Sequence, residues 1–233
     1  MRPGAKDGSV PVAFTLSGAL EGAKRCVPVE VGGLAMGLVF GVLARQAGLS
    51  PAEAALMSVL VFSGATQFVV LGMWAAPLPV AGIVLASLVV NLRYPLMGTA
   101  LAPWFSGLSH LKAFGSLYLL ADENWALAIG RYAKGYRDAA FLLGGGLLML
   151  VCRVGASLIG STFGGNLEDP ARWGLDFAFT AVFLALLTGM WRGRSDLLPW
   201  SVAVATHHWL GGQWYILLGG LAGSLIGAVR RAS

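Results

Sequence analysis

The sequence predicts an all-α fold, a polytopic transmembrane helical bundle of about eight spans, and three observations predict it. Hydrophobic residues make up 57% and charged residues 12% of the 233-residue chain, with a mean hydropathy of +0.73; soluble domains average roughly 45–50% and 25%. Apolar blocks of span length recur from Val27 to the C-terminus with short polar gaps, so no separate soluble domain is expected. Basic residues fall unevenly on the two sides when those blocks are threaded alternately through a bilayer.

Residues 1–26 are read as a basic cytoplasmic lead-in. This segment lacks the long apolar stretch and small-residue cleavage site of a signal peptide. Phe14–Leu20 is too short to span, which leaves an amphipathic segment flat on the membrane, or disorder. Residues 27–233 are read as one transmembrane domain, that of a transporter. Its candidate spans are Val27–Ala44, Pro51–Ala75, Pro79–Trp104, Phe114–Tyr132, Ala139–Ser161, Gly174–Trp191, Leu197–Gly211 and Trp214–Val229. The seventh is short and the fourth carries acids, so either is a candidate re-entrant segment, and seven spans is the alternative. With eight spans and both termini cytoplasmic, one side receives Arg2, Lys6, Lys24, Arg25, Arg131, Lys134, Arg137, Arg192, Arg194, Arg230 and Arg231. The other side receives only Arg45, Lys112 and Arg172, and that asymmetry favours eight.

Two further patterns bear on architecture. Phe62–Phe68 leads to Gly72-Met73-Trp74, and Phe177–Phe183 leads to Gly189-Met190-Trp191, an arrangement that fits an internal repeat. Glycines recur every fourth position in the first span (Gly33, Gly37, Gly41) and the last (Gly219, Gly223, Gly227). Such bare faces permit close helix approach within the chain or docking of a partner subunit.

The polar residues inside apolar blocks carry the chemistry. Arg93, in the run Val90-Asn91-Leu92-Arg93-Tyr94-Pro95, falls near the middle of the third span. A charge there costs about 2.5–3.5 kcal/mol on insertion scales, so it must face protein or water and be paired. Pro95 lacks a backbone N–H and disfavours helical geometry at Tyr94, so a broken helix is expected beside the arginine. In the second span Ser63-Gly64-Ala65-Thr66-Gln67 marks a matching break, with Ser63, Gly64 and Thr66 as its residues. The long amide of Gln67 needs several hydrogen bonds in lipid. The fourth span supplies Asp122 and Glu123, which point roughly 100° apart on a helix, so one pairs with Arg93 while the other faces solvent or takes a proton. Gln67, Asn91, Arg93, Asp122 and Glu123 therefore form the expected substrate site. Its mixed charge suits a zwitterion, with a proton or small-ion path as the chemical alternative.

Other residues are read more plainly. Glu30 and Asp176 are expected near the interface as anchors or helix-terminal charges, whereas Arg153 lies deeper and needs a partner, one of those two acids being available. Cys26 and Cys152 have no CxxC or His/Cys spacing and read as inert thiols. His207 and His208 are adjacent and cannot chelate together well, so no metal and no cofactor are expected. Scattered basic residues exclude a nucleic-acid partner. No GxxxxGK[ST] loop appears, and no serine lies beside a deep histidine, so neither an ATPase nor an intramembrane enzyme is expected and no residue is assigned a catalytic role.

Four stretches, FSGATQF (Phe62–Phe68), VVNLRYPLMG (Val89–Gly98), ADENWAL (Ala121–Leu127) and LDFAFTAVF (Leu175–Phe183), give a resemblance. In order and spacing the chain from Val27 onward resembles the AzlC family, the large subunit of bacterial branched-chain amino acid exporters. The resemblance implies a multi-pass protein of the bacterial cytoplasmic (inner) membrane that exports valine, leucine, isoleucine or methionine with a small AzlD-type membrane subunit. Higher oligomers in the lipid bilayer are a further expectation. It also implies that Gln67, Asn91, Arg93, Asp122 and Asp176 occupy shared polar positions. Export of this kind is expected to use the proton gradient, by antiport, with Asp122 or Glu123 as the coupling acid.

Overall fold

A computed structural model describes residues 12–164 and the isolated positions 184, 188, 193, 197, 201 and 205. Among the described residues the fold is helical, in the order α1 (Leu16–Gln46), α2 (Pro51–Leu60), α3 (Gly64–Gly72), α4 (Val80–Asn91), α5 (Arg93–Phe105), α6 (His110–Tyr118), α7 (Asp122–Tyr132) and α8 (Ala140–Gly164). The expected spans Gly174–Trp191, Leu197–Gly211 and Trp214–Val229 fall outside the described residues apart from those isolated positions. So do the second arm of the repeat, Asp176, His207, His208 and the last glycine stripe.

Among the described residues three helical stretches are long and apolar enough to cross a membrane: Leu16–Gln46, Val80–Phe105 and Ala140–Gly164. The first starts at Leu16 because Thr15, extended at ψ 157, caps it: Thr15 Oγ1 accepts a hydrogen bond from the Gly18 N–H at 3.1 Å. Thr15 is in turn fastened to Asp138, whose Oδ1 accepts its N–H at 3.2 Å. A parallel bridge between Ala13 and Asp138 joins the same two chain segments. The start of α1 and the start of α8 therefore lie at one end of the molecule.

From that end α1 and α8 run side by side in the same direction. Small residues set their separation. An added Cβ at Gly144 would lie 1.8 Å from the Ala19 carbonyl oxygen, and one at Gly160 would lie 2.1 Å from that of Leu38. From the α1 side a Cβ at Gly41 would lie 2.2 Å from the Ser157 carbonyl oxygen. Backbone meets backbone along the seam, and in lipid such close packing replaces the hydrophobic drive between helices. Gly37 and Gly41 of the expected stripe thus serve intramolecular contact.

The other expected spans that fall within the described residues are interrupted. Pro51–Ala75 is divided into α2 and α3, of 10 and 9 residues, and Phe114–Tyr132 into α6 and α7, of 9 and 11 residues. At 1.5 Å per residue each piece is about 14–17 Å long, roughly half of a 30 Å hydrocarbon core. The third expected span is only nicked: α4 and α5 meet at Leu92, whose N–H turns to the Val89 carbonyl at 3.3 Å. The nick lies one residue before Arg93, and Tyr94 is helical within α5. Pro95 has no N–H to offer the carbonyl four residues back, so its effect falls on the turn before it.

Candidate functional site

Each interruption has a local cause. Between α2 and α3, Ser63 is extended (φ −145, ψ 105) and caps α3, accepting the Thr66 N–H. Thr66 Oγ1 donates to Asn91 Oδ1 at 2.9 Å, tying the second break to the turn before Arg93. Between α6 and α7 the buried stretch Leu119-Leu120-Ala121 contains neither glycine nor proline. Asn124, fully buried, makes this break: its Oδ1 accepts the Ala121 N–H at 2.8 Å and its Nδ2 donates to the Leu119 carbonyl at 2.7 Å. Orphan backbone groups at both sides of the gap are thereby satisfied.

The three interruptions converge on one cavity of about 310 Å³. It receives Gly64, Ala65, Gln67 and Phe68 from α3, Arg93 and Tyr94 from α5, Ala121 with Asp122 and Glu123 from the start of α7, and Arg153 from α8. Val29, Gly32, Gly33, Met36 and Gly37 of α1 complete the wall. Arg93 Nη1 contacts Asp122 Oδ2 at 2.6 Å, with side chains 35% and 50% exposed, so the pair faces the opening rather than being sealed in protein. The guanidinium also lies 5.3 Å from the Tyr94 ring centroid. Its Nε is shielded from solvent and has no hydrogen-bond partner among the described residues. Glu123 is exposed on the same wall.

Gln67 is 1% exposed, and its Nε2 donates to Ser58 Oγ at 3.1 Å. Ser58 Oγ lies 2.8 Å from Ser157 Oγ, which donates to the Arg153 carbonyl. A polar string therefore links α3, α2 and α8 behind the cavity. Trp125 Nε1 donates to the Met97 carbonyl at 3.1 Å, fixing α7 to α5 and with it the placement of Asp122 beside Arg93.

Of the residues expected from the sequence, Gln67, Arg93, Asp122, Glu123 and Gly64 meet in the cavity. Asn91 stands behind it through Thr66, Ser63 acts as the cap, and Pro95 is exposed outside the wall. Arg153 lies on the wall, 8% exposed, with its Cζ 5.2 Å from the Phe62 ring and no ion pair among the described residues. Glu30 is corrected: it lies in the middle of α1 and is 3% exposed. Thr15 caps the helix ahead of Leu16, so Glu30 stands well inside α1, buried in protein, and is not a helix-terminal charge. Asn124 was not marked by its polarity alone; the signal is its position three residues after Ala121, where a side chain reaches back to the start of a helix.

Comparison with known proteins bears on the identity of this arrangement. The family model described as AzlC protein matches residues 28–167, which hold every element of the cavity. The chain belongs to the AzlC family. Among AzlC relatives, a membrane protein of Archaeoglobus fulgidus is 30% identical over 186 residues, covering 77% of this chain and 80% of the relative. A membrane protein of Helicobacter pylori strain J99 is 27% identical over 198 residues, 82% of this chain and 86% of the relative. The branched-chain amino acid transport protein AzlC of Bacillus subtilis is 24% identical over 196 residues, 82% of this chain and 76% of the relative. No solved structure matches the chain.

Proposed function

We propose that this AzlC protein is the large subunit of a two-component secondary exporter of branched-chain amino acids, with valine, leucine, isoleucine and methionine as substrates. The observation that carries this reading is the cavity at three helix interruptions, with Arg93, Asp122 and Glu123 on its wall. Interrupted helices flanking a polar cavity are how transporters build midplane sites. The α-carboxylate of a zwitterion meets Arg93 and the positive N-terminal end of α3, whose first amides have no intrahelical acceptors. The ammonium meets Asp122 or Glu123, and Val29, Met36 and Phe68 receive the aliphatic side chain. Gln67 and Asn91 hold this site in shape through Ser58 and Thr66. The transport activity in the name of the Bacillus subtilis relative supports the substrate class.

The proposal includes about eight crossings, a cytoplasmic lead-in at residues 1–26 and a transporter domain at 27–233, with both termini in the cytoplasm of a bacterium and a small AzlD-type partner. The parallel run of α1 and α8 supports that threading. If both cross the bilayer, an odd number of crossings separates them, and three spans are expected between them. The same relation fits a parallel repeat of two four-span halves.

The test is efflux of labelled valine, leucine, isoleucine and methionine from dipeptide-loaded cells expressing this chain with its small partner. Efflux above that of empty cells supports the reading, and no efflux with both subunits in the membrane refutes it. The 2.6 Å contact between Arg93 and Asp122 favours a second reading, a channel or regulatory scaffold in which the arginine is a structural ion pair. Rescue of Arg93→Asp by Asp122→Arg selects that reading, because reversed charges keep the pair and lose the orientation of a substrate.

A further inference from the structure

Glu30 stands apart from the groups that line the cavity. Both its carboxylate oxygens are shut off from solvent and have no hydrogen-bond partner among the described residues. A carboxylate in that state is strongly disfavoured unless it is protonated or given a counter-ion. The groups that act on it electrostatically are Arg153 of α8 and Glu123 of α7, with opposite signs, and the titratable thiols nearby are Cys26 on its own helix and Cys152 on α8. Arg153 and Glu123 both line the cavity, and so does Gly33, where an added Cβ would lie 2.6 Å from Glu30 Oε1. The missing side chain at position 33 is what leaves the carboxyl room directly behind the cavity wall.

We propose that Glu30 is a proton-binding site, protonated while the cavity is empty and deprotonated when an amino acid occupies it, with Arg153 as the counter-ion of its carboxylate form. The linkage follows from the signs of the charges. In the empty cavity the negative charge of Glu123 opposes a second carboxylate at Glu30. A substrate ammonium held at Glu123 cancels that opposition, and Arg153 then stabilises the anion. The step breaks one O–H bond at the Glu30 carboxyl and passes its proton to solvent at the cavity mouth; no other bond changes. Proton and substrate thus exclude one another, the condition for antiport. This assignment rests on the exporter reading for its role, while the proton site itself stands on the burial of Glu30. It moves the coupling acid from Asp122 or Glu123, which are exposed, to a residue sealed behind them.

The experiment is infrared spectroscopy of the full chain, purified with its small partner in lipid vesicles at neutral pH. The wild type is expected to give a carboxylic-acid C=O band of a non-hydrogen-bonded group that shifts in heavy water. The band is lost in Glu30→Gln, displaced in Glu30→Asp, and diminished when valine is added. Absence of any difference between wild type and Glu30→Gln overturns the proposal. A band that Glu30→Gln removes but that valine leaves unchanged in protein shown to bind valine keeps the proton site and overturns its linkage to the substrate, whereas protein that binds and transports none of the aliphatic amino acids overturns the exporter reading and leaves the proton site standing. In vesicles with an imposed proton gradient, Glu30→Gln is expected to lose the response of amino acid flux to that gradient, and a wild-type response in this variant overturns the coupling role.

Discussion

Replacing Asn124 by alanine removes the two hydrogen bonds that hold the gap between α6 and α7. The lost contacts are the 2.8 Å bond from the Ala121 N–H and the 2.7 Å bond to the Leu119 carbonyl. Both backbone groups belong to residues that are at most 5% exposed, and Asn124 itself is fully buried, so water does not replace the lost partner without opening the packing. Each net hydrogen bond contributes about 1 kcal/mol, and each buried group left unpaired costs about 1–3 kcal/mol. Asn124→Ala is therefore expected to destabilise the fold by about 2–4 kcal/mol. At roughly 2–4 °C per kcal/mol for a chain of this size, the unfolding midpoint falls by about 4–16 °C. Cys26 provides the reporter: it is 1% exposed and shares an apolar cluster with Leu119 and Ala121. In a Cys152→Ser background a thiol-reactive dye reports the exposure of Cys26 on heating, and Lys134→Ala, at an exposed position, is the control. A midpoint in Asn124→Ala equal to that of the control would refute the claim that this side chain makes the break.

The seam between α1 and α8 gives a paired test on one helix. Gly160→Ala drives a methyl to 2.1 Å from the Leu38 carbonyl oxygen and is expected to abolish folded protein in the membrane, whereas a Cβ at Gly155 meets nothing within 4 Å. Gly155→Ala is expected to raise stability by up to about 1 kcal/mol through helix propensity, and equal behaviour of the two variants in the thiol assay contradicts the packing described. Thr66→Val removes the hydrogen bond to Asn91 Oδ1 without changing shape, and is expected to weaken substrate affinity several-fold with little change in protein level; unaltered affinity separates Asn91 from the site. Asp122→Asn retains size and removes the charge partner of Arg93. With the substrate ammonium held at Glu123, affinity for valine is expected to change little, and a loss of about tenfold or more, as removal of a charge-assisted contact of about 1.5–3 kcal/mol requires, assigns the ammonium to Asp122 instead.

Sequence made some parts of this architecture readable and left others hidden, for physical reasons. The break before Arg93 and the break at Ser63 are legible because proline, glycine and a capping hydroxyl act on their immediate neighbours. The break at Leu119–Ala121 is hidden because its sequence is apolar and its cause, Asn124, acts from the far side of the gap. The place of Glu30 inside the helix, rather than at its start, is hidden for a different reason. Where α1 starts depends on Thr15 and its fastening to Asp138, a contact across 123 positions of sequence that no local pattern reports. Arg153 was recognisable as a buried charge needing compensation, yet its neighbours Glu30 and Gly64 come from α1 and α3, and only the parallel seating of α1 against α8 brings them together.

The proposed function requires the cavity at the helix interruptions to bind an amino acid through Arg93. The most direct measurement is equilibrium binding of radiolabelled leucine to the purified chain, alone and with the proposed small subunit, comparing wild type with Arg93→Ala at equal amounts of folded protein. Saturable binding by the wild type that Arg93→Ala removes is the predicted result. Saturable binding of the same strength in Arg93→Ala contradicts the account, because the substrate carboxylate then has its partner elsewhere in the protein.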